Sequence, residues 1–226
     1  MRTKPGKAKA YQDRRDAGHV LASYLQDYAG KPDALVLGLP RGGVPVAAVV
    51  AGVLELPMDV VLVRKIGVPG HVEVAMGAMA SVAGHQVTVR NEEVLARYLM
   101  DFGHRAAFDD VAERERAELD RREQLYRAGR GTLHVSGQTV IVVDDGLATG
   151  ATMRAAVTVL RELEPARIIA AAPVGLGNTC DSLRRVADDV VCPWNPKDFV
   201  AVGQAYEIFD QTSDEEVIRL LAGQQP

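Results

Sequence analysis

The stretch Thr139–Thr152 reads TVIVVDDGLATGAT: an apolar run, two adjacent carboxylates, then a turn of small residues. The run predicts a strand over Val140–Val143 whose unbroken apolar character means burial on both faces, as in a parallel sheet. A helix over Gly150–Leu163 follows. A strand that passes through a turn into a helix puts the turn at the carboxyl edge of the sheet, where open α/β folds hold their ligands. Asp144 and Asp145 stand at that edge. Neighbouring carboxylates repel one another and are costly to bury unpaired, so they suit hydroxyl donors or a divalent cation. The small residues Gly146, Ala148, Gly150 and Ala151 let backbone N–H groups approach an anion. Thr149 and Thr152 add hydroxyls, and the helix N-terminus adds a favourable dipole. Together these describe a ligand with a sugar diol at one end and a phosphate at the other. The alternative is an ordinary strand–helix turn with acidic caps, and short glycine motifs do arise by chance. The ordered run of apolar strand, DD and TGAT is far more specific than a lone glycine pattern.

Strands and helices alternate outward from this segment. Ala17, Val20, Leu21, Tyr24, Leu25 and Tyr28 fall on one helical face, closed by Gly30. Ala34–Leu39 and Met58–Arg64 predict buried strands, with a helix over Val44–Leu54 between them. Lys65–Val74 holds Gly67, Pro69 and Gly70 with little periodicity and reads as a mobile loop. Short strands over Gly77–Ser81 and Gln86–Val89 follow. Asn91 then caps a long charged helix to Ala128, with the four-apart pairs Arg114–Glu118, Arg116–Asp120, Glu118–Arg122 and Glu123–Arg127 on a solvated face. Beyond the central motif come a strand at Arg167–Pro173, a helix at Cys180–Ala187, a strand at Val190–Cys192 and a helix at Asp214–Leu221 capped by Ser213. Alternation of this kind predicts an α/β parallel sheet flanked by helices. No linker interrupts it, so residues 1–226 are expected to form one domain.

Two further segments carry charge to the same edge. Gly38–Val44, GLPRGGV, follows one strand and precedes a helix. Gly42 and Gly43 permit backbone conformations closed to other residues, and Arg41 offers a charged fork to phosphate oxygens. Val63–Gly67, VRKIG, ends a strand in two cations.

Bulk properties narrow the class. With a net charge of −4, the surface does not favour broad binding to nucleic acid. Two cysteines, Cys180 and Cys192, suit reduced thiols rather than a disulfide framework or a zinc site. The apolar run Val44–Leu54 is interrupted by Pro45 and Gly52 and is too short for a membrane span. The basic N-terminus lacks a signal-type apolar core, so a cytoplasmic protein is expected.

IVVDDGLATGAT resembles the phosphoribosyl-pyrophosphate signature of the type I phosphoribosyltransferase family, and the order of the remaining elements extends the likeness over most of the chain. The whole is similar to bacterial predicted phosphoribosyltransferases of unassigned substrate. The resemblance implies a type I fold with a small hood at about 193–212 and an unusual insertion, the long helix, at about 91–130. It implies that Asp144 and Asp145 address the ribose hydroxyls and, directly or through water, Mg²⁺. Gly146, Leu147, Ala148, Thr149, Gly150, Ala151 and Thr152 would surround the 5-phosphate. Arg41, Gly42 and Gly43 would bind pyrophosphate, joined by Arg64 and Lys65. The loop from Gly67 to Ala75, carrying His71 and Glu73, would close over the reaction. Trp194, Phe199 and Tyr206 become candidates for shaping the acceptor pocket, though aromatic residues are more often core. Some purine-specific relatives carry an acid two places before the phosphate-loop glycine; here that place is Ala148, which leaves the acceptor open.

The reading that follows is a magnesium-dependent enzyme that transfers a phosphoribosyl group to a nitrogen nucleophile, a nucleobase in the first instance, with catalytic roles for Arg64, Lys65, Asp144 and Asp145. A homodimer is plausible by family resemblance. The alternative is a regulator that senses phosphoribosyl pyrophosphate without consuming it, since folds do not fix function. A hydrolase using the same cradle is weaker, because no nucleophile–His–acid set stands out.

Overall fold

Ala34–Gly38 forms β1, and all five of its residues are buried. The computed structural model describes residues 11–68, 71–82, 85–92, 94–96, 106–196 and 199–223, with no side chain described at 68, 71–75, 106 and 107. Around β1 lie β2 (Met58–Val68), β3 (His71–Val82), β4 (His85–Arg90), β5 (Thr139–Val143), β6 (Arg167–Ala171) and β7 (Asp189–Val191), in the sheet order β4-β3-β2-β1-β5-β6-β7. β2, β1, β5, β6 and β7 run parallel. The expected α/β class holds, with an antiparallel extension: β3 pairs with β2, and β4 with β3, in antiparallel register.

Alternation along the strands divides the core. Val36, Ile141 and Val143 face α1 (Arg14–Ser23), α2 (Gly43–Leu54), α3 (Ala106–Arg127) and α6 (Asp214–Ala222), in a cluster with Leu21, Val50, Leu119 and Val217. Leu35, Leu37, Val140 and Val142 face α4 (Ala151–Arg161) and α5 (Thr179–Leu183), through Met153, Val157, Leu160 and Leu183. Two caps fix helix starts. Asp13 accepts from the backbone N–H groups of Arg15 and Asp16, and Ser213 accepts from Glu216. Each satisfies donors that the first helical turn leaves without partners.

Two expectations are corrected, and a third lies partly outside the described residues. Within the expected loop Lys65–Val74, Lys65 to Val68 continues β2 and pairs with β3, which begins at His71, with register shifts at Gly67. The antiparallel ladder supplies backbone bonds without needing side-chain periodicity, which is why the pattern hid it. The long helix is described as α3, Ala106–Arg127, and residues 97–105 fall outside the described part. Asn91 does cap a turn, its Oδ1 accepting from Val94 N–H. Finally, Arg127 is not on a solvated face. It is 8% exposed and grips Asp59 of β2 with Nε and Nη2 at 2.9 to 3.1 Å, while Glu123 lies 3.6 Å away. Among the described residues, no helix is long and apolar enough to cross a membrane.

Candidate functional site

The turn after β5 is held open by its neighbours. Leu147 N–H donates to Val174 O at 2.8 Å, and Leu147 O accepts from Leu176 N–H at 2.9 Å. Thr179 Oγ1 donates to Ala148 O at 2.8 Å. Gly150 adopts φ +68°, a left-handed conformation that favours glycine, and a Cβ there would also meet Thr179 Cγ2 at 2.7 Å. From Gly150 the chain enters α4. The backbone N–H groups of Ala148, Thr149, Gly150 and Thr152 have no acceptor among the described residues. Ala148, Thr149 and Thr152 are exposed while Leu147 is buried beneath them. Free donors converging on a helix start can cradle an anion.

Asp144 and Asp145 lie where β5 ends. Asp144 Oδ1 accepts from Asp145 N–H at 2.9 Å. Asp145 is paired: Arg14 Nε and Nη2 reach its Oδ2 at 2.8 and 2.7 Å. Arg14 also donates to Asp210 O at 2.7 Å and stacks 4.0 Å over the Phe209 ring. The Tyr206 hydroxyl donates to Asp145 O at 2.5 Å. The start of α1 and the segment after β7 therefore meet over the acidic pair, joined by a bridge between Tyr11 and Tyr206. Nothing in the local sequence flags Arg14, whose partner is 131 residues away.

Electrostatics follow from this packing. Burial, reinforced by the Asp145 charge, pushes the Asp144 carboxyl from its ordinary 3.8 up to about 8. Burial also raises Asp145, opposed by Arg14. A raised carboxyl means that the metal-free native state holds a proton the unfolded chain has released. That stabilisation is whole below about pH 4 and is lost as the pH rises through about 8. We expect chelator-treated protein to lose thermal stability across this window, and Asp144→Asn to lose less. Melting temperatures from pH 5 to 9 check it; equal slopes would show that Asp144 does not carry the effect.

The GLPRGG turn packs directly on the acidic pair. A Cβ on Gly42 would fall 2.1 Å from Asp145 Oδ2, and one on Gly43 would fall 2.6 Å from Val143 O, so only glycine allows this approach. The Pro40–Arg41 peptide is cis. Arg41 is half-exposed, its Nη1 3.6 Å from Asp214 Oδ1. Arg64 Nε donates to Glu115 Oε2 at 2.5 Å, and Lys65 is exposed. Arg64, Lys65, Gly67, Glu115 and Thr152 line one cleft of about 450 Å³, so the cations of β2 and the last threonine of the small-residue turn share a space. The side chains of His71 and Glu73 lie outside the described part.

The candidate aromatics pack together. Tyr206 is wholly buried and Phe199 nearly so. Trp194 is half-buried and meets Phe199 and Tyr11 edge-on at 5.1 and 6.0 Å. Their cluster supports the acidic pair from beneath through the Tyr206 hydroxyl. Cys180 and Cys192 are both free thiols flanking Gly175.

No group of three or more candidate metal-binding side chains occurs among the described residues. Among the described residues, the paired carboxylates at this edge are Asp144 and Asp145. That suits Mg²⁺, which commonly takes one or two carboxylates and completes its shell with water and ligand phosphates.

Comparison with known proteins yields consistent matches. The family model "Phosphoribosyl transferase domain" matches residues 8–208. A Mycobacterium tuberculosis protein named "Putative phosphoribosyl transferase" is 43% identical over 213 residues, which are 94% of this chain and 46% of that protein. The chain thus spans about half the length of that relative. The crystal structure of TT1426 from Thermus thermophilus superposes with a TM-score of 0.82 at 38% identity, covering 96% of this chain and 99% of that one.

Proposed function

This chain belongs to the phosphoribosyl transferase family, and from that premise we propose that it binds phosphoribosyl pyrophosphate with Mg²⁺ and transfers the phosphoribosyl group to a nucleobase-type nitrogen. In this reaction the bond from C1 to the pyrophosphate oxygen breaks, a C1–N bond forms, and the nitrogen gives up its proton. The observation that carries the reading is the single edge that joins an acidic pair, a turn of free backbone N–H donors and a cationic cleft.

Each group then has a task. The N–H donors of Ala148, Thr149, Gly150 and Thr152, with the Thr149 and Thr152 hydroxyls, take the 5-phosphate. Asp144 and Asp145 accept from the ribose hydroxyls, which fixes the sugar relative to the cleft. Arg64 and Lys65, with Arg41 and the Gly42–Gly43 backbone, take pyrophosphate and stabilise the charge that develops as it leaves. The work is mainly positioning and electrostatics. Asp144 and Asp145 would hold Mg²⁺, which when bound neutralises charge on the leaving group. Trp194, which is half-buried, is the aromatic we assign to the acceptor side, with Phe199 and Tyr206 packed against the same cluster.

Calorimetric titration with phosphoribosyl pyrophosphate and Mg²⁺ is expected to show saturable binding. Pyrophosphate release is then expected with at least one member of a nucleobase and amine panel. Absence of donor binding at ligand concentrations into the millimolar range would remove the proposal; binding without release for any acceptor would favour a sensor.

A further inference from the structure

Both arginines assigned to pyrophosphate are already met by carboxylates from helices outside the phosphate-loop units. Glu115 of α3 contacts Arg64, and Asp214 at the start of α6 contacts Arg41. Asp214 also accepts from the Tyr126 hydroxyl of α3, so the two helices that supply the acids touch. Of these pairs the first is the more telling, because Glu115 lines the same cleft as Arg64, Lys65 and Thr152 and is its one acid among the described residues.

The contact has the form of an exchangeable one. Glu115 uses one oxygen on Nε, and the Arg64 guanidinium has no other acceptor among the described residues. The side chains remain 32% and 24% exposed, and ion pairs this open contribute little. A phosphoryl group presents the same kind of acceptor with more charge, and it can engage the guanidinium with two parallel bonds.

We propose that Glu115 is a built-in competitor for the pyrophosphate end of the donor: its carboxylate holds Arg64 in the ligand-free protein, yields it when a pyrophosphoryl group binds, and returns to it as that product leaves. This rests on the donor-binding reading above. It makes α3 the element that masks Arg64 until the ligand arrives. A merely structural role, in which Glu115 preorganises Arg64 for its ligand, predicts the opposite sign on removal.

The test titrates the full chain, in Mg²⁺, with inorganic pyrophosphate and separately with ribose 5-phosphate. Native protein, Glu115→Gln, Arg64→Ala and the double variant are compared. Glu115→Gln is expected to bind pyrophosphate roughly two- to five-fold tighter, the range an exposed ion pair allows, with ribose 5-phosphate affinity unchanged. In the Arg64→Ala background the gain is expected to vanish, which assigns it to the pair. If ribose 5-phosphate binds but Glu115→Gln leaves pyrophosphate affinity equal or weaker, or if the gain persists without Arg64, the inference is overturned and the donor-binding reading stands. If neither probe binds native protein or Glu115→Gln, both are overturned.

Discussion

Asp145→Asn is expected to weaken binding of ribose 5-phosphate and phosphoribosyl pyrophosphate by roughly 10- to 150-fold, with a change in melting temperature of only a few degrees. The estimate rests on hydrogen bonds to a charged acceptor, worth about 1.5–3 kcal/mol each, one of which a ribose diol shared by the acidic pair would make to Asp145. The modest effect on the fold comes from opposed terms. Asn keeps the volume, and it relieves Asp144 of a neighbouring charge that pushes its carboxyl upward. Against this, Arg14 loses its counter-ion, although Asp210 O and the Phe209 ring still engage it. Calorimetry for binding and a thermal melt for the fold separate the two. Native-like affinity in the variant would mean that the acidic pair does not face the sugar.

What the sequence made legible was set by local pattern. Apolar runs such as Ala34–Leu39 and Val140–Val143 mark strands buried on both faces, because no polar position interrupts them. The DD and TGAT order marks the edge, because a turn into a helix must fall there. Gly42 and Gly43 are legible as a tight turn, although their contact distance to Asp145 and Val143 needed coordinates. Illegible were the partners chosen across the chain. Arg14, Glu115 and Asp214 look like solvated charges in sequence, yet each meets a candidate ligand-binding residue. The β2–β3 hairpin was hidden for a related reason: Gly67, Pro69 and Gly70 erase side-chain periodicity, and a ladder of backbone bonds does not depend on it. Tyr206 shows the same limit from the other side. Its aromatic character suggested a ligand contact, and nothing in the sequence signals that it is wholly buried with its hydroxyl on Asp145 O.

Arg127→Met is expected to destabilise the protein by about 3–5 kcal/mol, a fall in melting temperature of roughly 10 °C. The mechanism is the stranding of Asp59. That carboxylate is 1% exposed and takes both oxygens' bonds from Arg127; Arg130, 3.8 Å away, is poorly placed to replace it. Arg130 Nη1 and Nη2 are committed to Leu221 O and Met58 O, which leaves only its Nε to turn towards Asp59. The double change Asp59→Leu with Arg127→Met is expected to recover much of the loss, since a buried pair costs desolvation that an apolar pair does not. A double variant no more stable than Arg127→Met would instead indicate a packing defect at Arg127. The pair matters to the site through α3. It pins the C-terminal end of that helix to β2, the strand that carries Arg64 and Lys65. Glu115 lies twelve residues back along the helix, about 18 Å by the helical rise, and meets Arg64 near the middle of the same strand. Two contacts thus tie α3 to β2 at Asp59 and at Arg64: one buried and suited to permanence, the other partly exposed and suited to exchange. Ribose 5-phosphate binding, which depends on neither, is expected to survive Arg127→Met at temperatures below its melt.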